Sequence, residues 1–278
     1  MTALPPCWVS LTRPAPRGYR VTTLPTRDTS ERNVLGDKAW GLKYAGREAL
    51  PPRAFLRAFL DHYSIPLYGA IAVGALVMFL LSGTAFRTLA LALAMTVAFY
   101  SLVEYVLHRW LLHATFLCRS PLTSRLWRRL HYDHHMDPND LSVLYANPVT
   151  SIPLLVLLAA IPALVLGSWG LFWAMLVSNF CAFVYYEFMH TLAHLPNSFQ
   201  ARWLREKKRN HLFHHVFDEH ENYGIGSNLL DREIDRTPAR GRSATVNNLG
   251  YDDAMASRYP WVRQGYEQDY PSGRGRKA

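Results

Sequence analysis

The chain has 278 residues, half of them hydrophobic, and carries 30 Lys and Arg against 21 Asp and Glu, a formal net charge of +9. Its apolar residues are bunched into blocks instead of recurring periodically, which excludes an ordinary soluble core as their only destination and points to lipid. The basic excess has no aromatic interleaving, so it reads as a membrane-topology signal plus attraction to anionic headgroups, with no nucleic acid partner.

Residues 1 to 50 hold Pro5, Pro6, Pro14, Pro16 and Pro25 among scattered charges, a loosely ordered arm with little core. No secretory signal is visible there, and the first span is expected to serve as the membrane signal. Residues 51 to 62 place Phe55, Leu56, Phe59 and Leu60 at helical spacing opposite Arg53 and Arg57. That pattern fits a short helix lying at the membrane interface or a plain linker helix.

Four runs follow, 65 to 82, 88 to 107, 147 to 166 and 168 to 189, almost free of charge. Each is close to the roughly 20 residues that cross a bilayer, and together they read as four transmembrane helices in two hairpins. Of the Lys and Arg, 10 precede the first run, 1 (Arg87) separates the first two, 5 follow the second, 0 separate the last two and 14 follow the fourth. The positive-inside rule then places both termini on the cytoplasmic side. Arginine outnumbers lysine 25 to 5, a bias that points to a GC-rich genome and so to a bacterial inner membrane ahead of an endoplasmic reticulum. From Pro238 onward the chain is rich in Arg, Gly and Tyr without a period and is expected to be irregular. The expected organisation is therefore an arm over 1–62, a membrane and catalytic domain over 63–237, and a tail over 238–278. Cys7, Cys118 and Cys181 are isolated and odd in number, so neither a disulfide framework nor a thiolate zinc site is indicated.

Ten of the twelve histidines fall into four boxes at or just beyond the ends of apolar runs: His108/His113, His131/His134/His135, His190/His194 and His211/His214/His215. Imidazole is the usual nitrogen ligand for iron, zinc and copper, and one ion takes three to six ligands, so ten imply two ions. The spacing is repeated: His113 precedes His131 by 18 positions and His194 precedes His211 by 17. Each half of the chain is expected to supply a hairpin, a first pair, a connector and an HxxHH box, hence five imidazoles.

In HxxHH the three- and four-residue separations put all three side chains on one helix face. His190 and His194 share the four-residue relation, whereas His108 and His113, five apart, point about 140° from each other on an ideal helix. They serve different ions, or the helix bulges between them. His62 and His220, outside the boxes, are expected to be hydrogen-bonded structural residues. Glu104 and Glu187 sit within span ends, where an unpaired carboxylate is costly. Each either holds the outer N–H of a ligand imidazole or pairs with Arg109 or a neighbouring loop.

The chemistry can be narrowed by what is missing. Thr191 stands where a zinc protease needs glutamate beside its first histidine, and a carboxylate di-iron bundle needs two Glu-x-x-His motifs where only Glu187 to His190 supplies one. Two all-imidazole ions with open positions beside lipid suit reduction of dioxygen and attack on an unactivated C–H bond, with iron the natural metal. Zinc in the same cage has no redox chemistry and implies a hydrolase or an inactive substitute.

The segments EYVLHRWLLH, HYDHH, YEFMHTLAH and HLFHH followed by NYGIGSNLLD resemble the fatty acid hydroxylase and sterol desaturase superfamily, over roughly residues 97 to 237. The resemblance implies an all-α, four-span membrane enzyme. Its cytoplasmic helical cap would hold a non-haem di-iron centre that uses dioxygen and supplied electrons to hydroxylate or desaturate lipids. It makes His108, His113, His131, His134, His135, His190, His194, His211, His214 and His215 the iron ligands. HRWLLH and the three residues between His190 and His194 look most like the fatty acid 2-hydroxylase branch, which favours a fatty acyl substrate. Carotenoid ring hydroxylases typically have four. Gly226 and Leu230 stand where relatives carry threonine and tryptophan, and charged residues around Asp235 and Arg236 replace a later Phe-Gly-Thr, all at the expected substrate cover.

No His-Pro-Gly-Gly haem motif occurs, so electrons are expected from a separate ferredoxin or cytochrome at the cytoplasmic face. Arg202, Arg205, Lys207, Lys208 and Arg209 form a surface that either docks that donor or reflects topology alone. A lipid or sterol desaturase of the same superfamily begins from the same hydrogen abstraction. A membrane metal-binding or metal-transport protein is the reading of another class, and it calls for ionisable residues inside spans that are here apolar apart from Glu104 and Glu187.

Overall fold

The computed structural model describes residues 50–138, 140–197, 199–234 and 248–269. Residues 1–49 of the N-terminal arm, Asp235 and Arg236 lie outside them. Among the described residues there is no strand, only a single parallel bridge between Leu50 and Asn197, and the rest is helix and turn.

Helix α1 (Pro52–Leu60) starts on a proline whose fixed φ suits the first helical turn. Its amphipathic face divides. Phe55 and Phe59 are buried, Phe55 edge-on to Phe188 and Phe199 at 5.5 and 5.3 Å, while Leu56 and Leu60 remain exposed. The helix is thus sewn to the protein by its aromatic rings.

Helices α2 (Ser64–Leu81), α3 (Phe86–Val106), α7 (Pro148–Val165) and α8 (Trp169–His194) correspond to the four apolar runs, and each is long and apolar enough to cross a membrane. Helix α8 continues beyond its apolar run to His194. It is the central element, with α2, α3 and α7 all packed chiefly against it. Lipid tails are as apolar as leucine, so association of such helices depends on close packing and on a few polar ties. Both are present. Gly170, at the start of α8, touches the turn between α2 and α3 so closely that a Cβ there would lie 1.9 Å from the Thr84 Oγ1. Midway along the spans, Thr96 donates to the Asn179 Oδ1 (3.3 Å) and Asn179 Nδ2 donates to the Leu155 carbonyl (3.2 Å), joining α3, α8 and α7. Nearer the cap, Tyr68 donates to the Ala146 carbonyl (2.9 Å) and pairs with the Ser151 hydroxyl (2.8 Å).

The cap gathers at one end of the spans. It comprises α4 (Pro121–Trp127), α5 (Asp133–Met136), α6 (Leu141–Leu144), α9 (Arg202–Val216), α10 (Leu229–Ile234), α11 (Asp253–Arg258) and α12 (Trp261–Asp269). Side-chain oxygens of Ser120, Asp140, Asn147 and Ser168 accept the first free amides of α4, α6, α7 and α8. The irregular tail expected from residue 238 is corrected over 248–269, where α11 and α12 form. The cause is burial: Tyr251, Ala256 and Val262 join Cys118, Trp127 and Tyr132 in a second apolar cluster, and the Trp261 indole donates to the Cys118 carbonyl (2.8 Å). Arg128, buried beneath α12, pairs with Asp133 (3.8 Å) and with Asp269.

The close approach at Gly170 generates a double-mutant test. Gly170→Ala should lower the detergent thermal midpoint by the equivalent of about 1–3 kcal/mol, the range for overpacking. Thr84→Gly in the same chain should restore most of it, and additive losses would contradict the packing described.

Candidate metal centre

The ten boxed histidines come together at the cap end of the spans in two groups of five. One group is His108, His113, His131, His135 and His214; the other is His134, His190, His194, His211 and His215. Within each group one ring nitrogen from each histidine lies within 4.8 Å of those of the other four. Nine of the ten side chains are buried, and His113 is half-buried.

The local backbone explains how. Past α3 the chain widens into a π-helical turn, Leu107–Leu112, in which the His113 amide donates to the His108 carbonyl (3.2 Å). The wider turn brings rings that an α-helix would splay by about 140° together on one side, where they meet edge-on with centroids 5.0 Å apart. A second π-helical turn, Arg128–Tyr132, carries His131 into α5. In both HxxHH boxes the first and third histidines serve one group, and the middle one crosses to the other: His134 joins the second half's histidines and His214 the first's. Each half of the chain supplies five imidazoles, and each group takes four from one half and one from the other. On a helix the middle and last positions of HxxHH are neighbours in sequence and diverge by about 100°, enough to face two points.

Nε2 atoms form the interior of each group. His131 Nε2 lies 2.9 Å from that of His108 and 2.8 Å from that of His135. In the other group the spacings are 3.0 Å (His190 to His134), 3.2 Å (His134 to His215), 3.1 Å (His215 to His211) and 2.8 Å (His194 to His211). The His108 Nδ1–H donates to the Tyr223 carbonyl (2.5 Å) and that of His214 to the Glu221 carbonyl (2.7 Å), which leaves lone pairs on their Nε2 atoms. The Nε2 atoms of His113 and His214 are buried without a hydrogen-bond partner among the described residues. Burial, together with the neighbouring imidazoles, holds His131, His134, His211, His214 and His215 well below the usual histidine pKa. They are therefore neutral near pH 7, with lone pairs free to bind a cation.

Neutral rings with inward lone pairs at these spacings fit a cation. Around an ion bound at about 2.1 Å, nitrogens at right angles are about 3.0 Å apart and opposite ones about 4.2 Å. Five imidazoles exceed the four ligands of a structural zinc site and leave room for a further ligand.

Neither sequence-selected carboxylate hydrogen-bonds an imidazole among the described residues. Glu104, 7% exposed, accepts the amides of Ile225 (3.0 Å), Gly226 (2.5 Å) and Ser227 (3.0 Å). Glu187, fully buried, accepts the Ala146 amide (3.0 Å). Arg109 turns instead to the Tyr105 hydroxyl and lies over the rings of Tyr105, Trp110 and Tyr223. Sequence reasoning missed the main-chain acceptors at Glu221 and Tyr223, and it missed Glu219, whose carboxylate lies 4.0 Å from His135 Nδ1. The positive φ of Asn222 (57°) marks the turn that aims those carbonyls; the NYGIG string was its one sequence signal. At Gly226 a Cβ would sit 2.1 Å from the Tyr100 hydroxyl, so Tyr100 fills the space a larger residue would need.

His62 stacks on Tyr145 at 4.0 Å, bonds Ser64 (2.8 Å) and is pushed down to about 4 by burial. His220 is exposed beside Asp218. Neither joins a group. Of the five basic residues of α9, two turn inward. Lys207 donates to the Gly226 carbonyl (2.6 Å), and Lys208 caps α8 at the Leu195 carbonyl (2.6 Å). Burial lowers both to about 8. Arg202, Arg205 and Arg209 stay exposed.

A cavity of about 420 Å³ opens beside the histidines, touching His108 and His131 of one group and His134 and His190 of the other. It runs between α3, α7 and α8 as far as Met95, Ile161 and Met175. From His190 to Met175 along α8 is roughly 22 Å.

This arrangement has relatives. The chain is 27% identical over 135 residues to mouse fatty acid 2-hydroxylase (48% of this chain, 36% of that protein). It is 29% identical over 157 residues to an Arabidopsis thaliana dihydroceramide fatty acyl 2-hydroxylase (56% and 64%). The chain thus spans about a third of the length of the mammalian relatives it matches. Its fold is similar to the visible hydroxylase domain of full-length scs7p, with a TM-score of 0.57 at 20% identity, covering 74% of this chain and 79% of that one. Residues 93–235, just over half of the chain and the stretch that carries all four histidine boxes, match the fatty acid hydroxylase family, and the protein belongs to it.

Proposed function

We propose that the protein is a membrane-bound di-iron oxygenase that hydroxylates a C–H bond of a fatty acyl chain, with the ten boxed histidines as the iron ligands. The observation that carries this reading is the placement of two five-imidazole groups at one end of a long apolar cavity. Iron bound there would supply the redox chemistry by which dioxygen, two electrons from a donor and two protons place one oxygen atom in the C–H bond and release the other as water.

The chain's own residues do the rest. The π-helical turn after α3, α6 and α7 wall the cavity with Leu107, Leu111, Val143, Leu144, Leu154 and Leu158, which exclude water and take up a hydrocarbon tail. The histidines lie at the cap end, so a tail threaded toward Met175 leaves the carbons near its head group beside them. That polarity accords with the position in the names of the 2-hydroxylases the chain is similar to. A transport protein would need ionisable groups along its path, and the deep part of this cavity offers only Thr96 and Asn179. We place the histidines and both termini on the cytoplasmic side of a bacterial inner membrane, from the distribution of Lys and Arg. A separate ferredoxin- or cytochrome-type donor would meet the exposed Arg202, Arg205 and Arg209.

Lipid profiling of cells with and without the gene should reveal acyl lipids heavier by one oxygen atom, and His190→Ala should abolish them. Lipids lighter by two hydrogens would turn the reading to desaturation, and no change in a metal-loaded protein supplied with electrons would refute both. Ala182→Phe, which narrows the cavity midway, should shift products toward shorter chains without lowering metal content; an unchanged chain-length profile would separate the cavity from the substrate. Replacing Arg202, Arg205 and Arg209 by Gln should raise KM for the reduced donor severalfold at unchanged kcat. Unchanged KM would confine those charges to topology.

A further inference from the structure

The two histidine groups differ in how their outer ring nitrogens are held. In the group of His108, the Nδ1–H bonds of His108 and His214 end on the carbonyls of Tyr223 and Glu221, and His135 Nδ1 faces Glu219. All three partners belong to one stretch, residues 219–223. In the group of His190, the Nδ1 atoms of His134, His194 and His211 are buried with no hydrogen-bond partner among the described residues.

That stretch is itself strapped down. Glu104 collects the three successive amides of residues 225–227, and the Gly226 carbonyl accepts Lys207 (2.6 Å) and the Tyr185 hydroxyl (3.2 Å). At the other end Glu219 accepts the amides of Leu249 (3.0 Å) and Gly250 (3.3 Å), both in the left-handed region with φ of 53° and 71°. Consecutive amides in that conformation form a concave anion site, here occupied by a carboxylate of the same chain.

The consequence for metal binding follows from the imidazole. A ring whose Nδ1–H is fixed on a carbonyl has one tautomer and one orientation, with its Nε2 lone pair already aimed inward. A buried ring lacking that acceptor must keep an unsatisfied N–H whenever its Nε2 takes a metal. Outer partners of this kind contribute roughly 10- to 100-fold in metal affinity.

We propose that the two positions bind metal in sequence, the His108 group first and at least about tenfold more tightly. Glu104, which hydrogen-bonds no imidazole among the described residues, is a positioning residue for that tighter position through the 219–227 strap. The proposal rests on reading both groups as metal sites.

The test is an anaerobic titration of the full-length apoprotein in detergent with Fe(II) against a chromophoric chelator. Two resolved equivalents are expected, with His113→Ala removing the tighter and His190→Ala the weaker. Glu104→Gln should weaken the tighter equivalent at least about tenfold and leave the other in place; a merely structural role would shift both alike. Should Glu104→Gln not fold, the two histidine variants still decide the order. Two equivalents of equal affinity, loss of the tighter one in His190→Ala, or a common shift in Glu104→Gln would overturn this inference alone. Failure of the wild-type protein to bind any Fe(II) would overturn the proposed function with it.

Discussion

Ten imidazoles gathered where four apolar helices meet a cap, nine of them buried, are the constraint around which the rest of the molecule is arranged. Lone pairs 2.8 to 3.2 Å apart repel unless something positive lies between them, and protonation is opposed by burial and by each neighbouring ring. Such a cluster is an expense to an empty fold and a source of stability to a loaded one, because metal binding free energy becomes folding free energy.

The scaffold that opposes this repulsion is rigid for identifiable reasons. Helix α8 packs against three other spans and carries two of the clustered histidines in its last turns. The π-helical turns after α3 and α4 place histidines where regular helix geometry would not, in keeping with the tendency of such turns to mark functional sites. The exchange of His134 and His214 ties the two halves of the chain together, since neither group of five is complete without a residue from the other half. Buried carboxylates complete the frame: Glu104 and Glu187 join spans to loops through main-chain amides, a use that avoids leaving a charge unpaired at the edge of lipid.

Much of this was legible in the sequence, because hydropathy and histidine spacing report directly on lipid and on metal. The four spans were found to within a few residues. The ten clustered histidines are the ones the sequence singles out, and His62 and His220 stand apart as expected. The division into groups was not legible, since it depends on the angle between adjacent positions of HxxHH and on which way α5 and α9 face. The π-helical turn at His108 was one of two readings left open by a five-residue spacing. The partners of Glu104 lie more than 120 positions away in sequence, and main-chain acceptors such as Tyr223 leave no side-chain signature. The helices over 253–269 escaped because each is short and gains its order from Trp127 and Tyr132, residues far back in the chain.

The most direct test of the central claim is X-ray absorption spectroscopy at the iron edge on the iron-loaded protein. The account predicts a first shell dominated by nitrogen, with the outer-shell scattering of about five imidazoles per metal, as the grouping of His108, His113, His131, His135 and His214 against the other five requires. A shell dominated by carboxylate oxygen or sulfur, or one with only one or two imidazoles per iron, would contradict it.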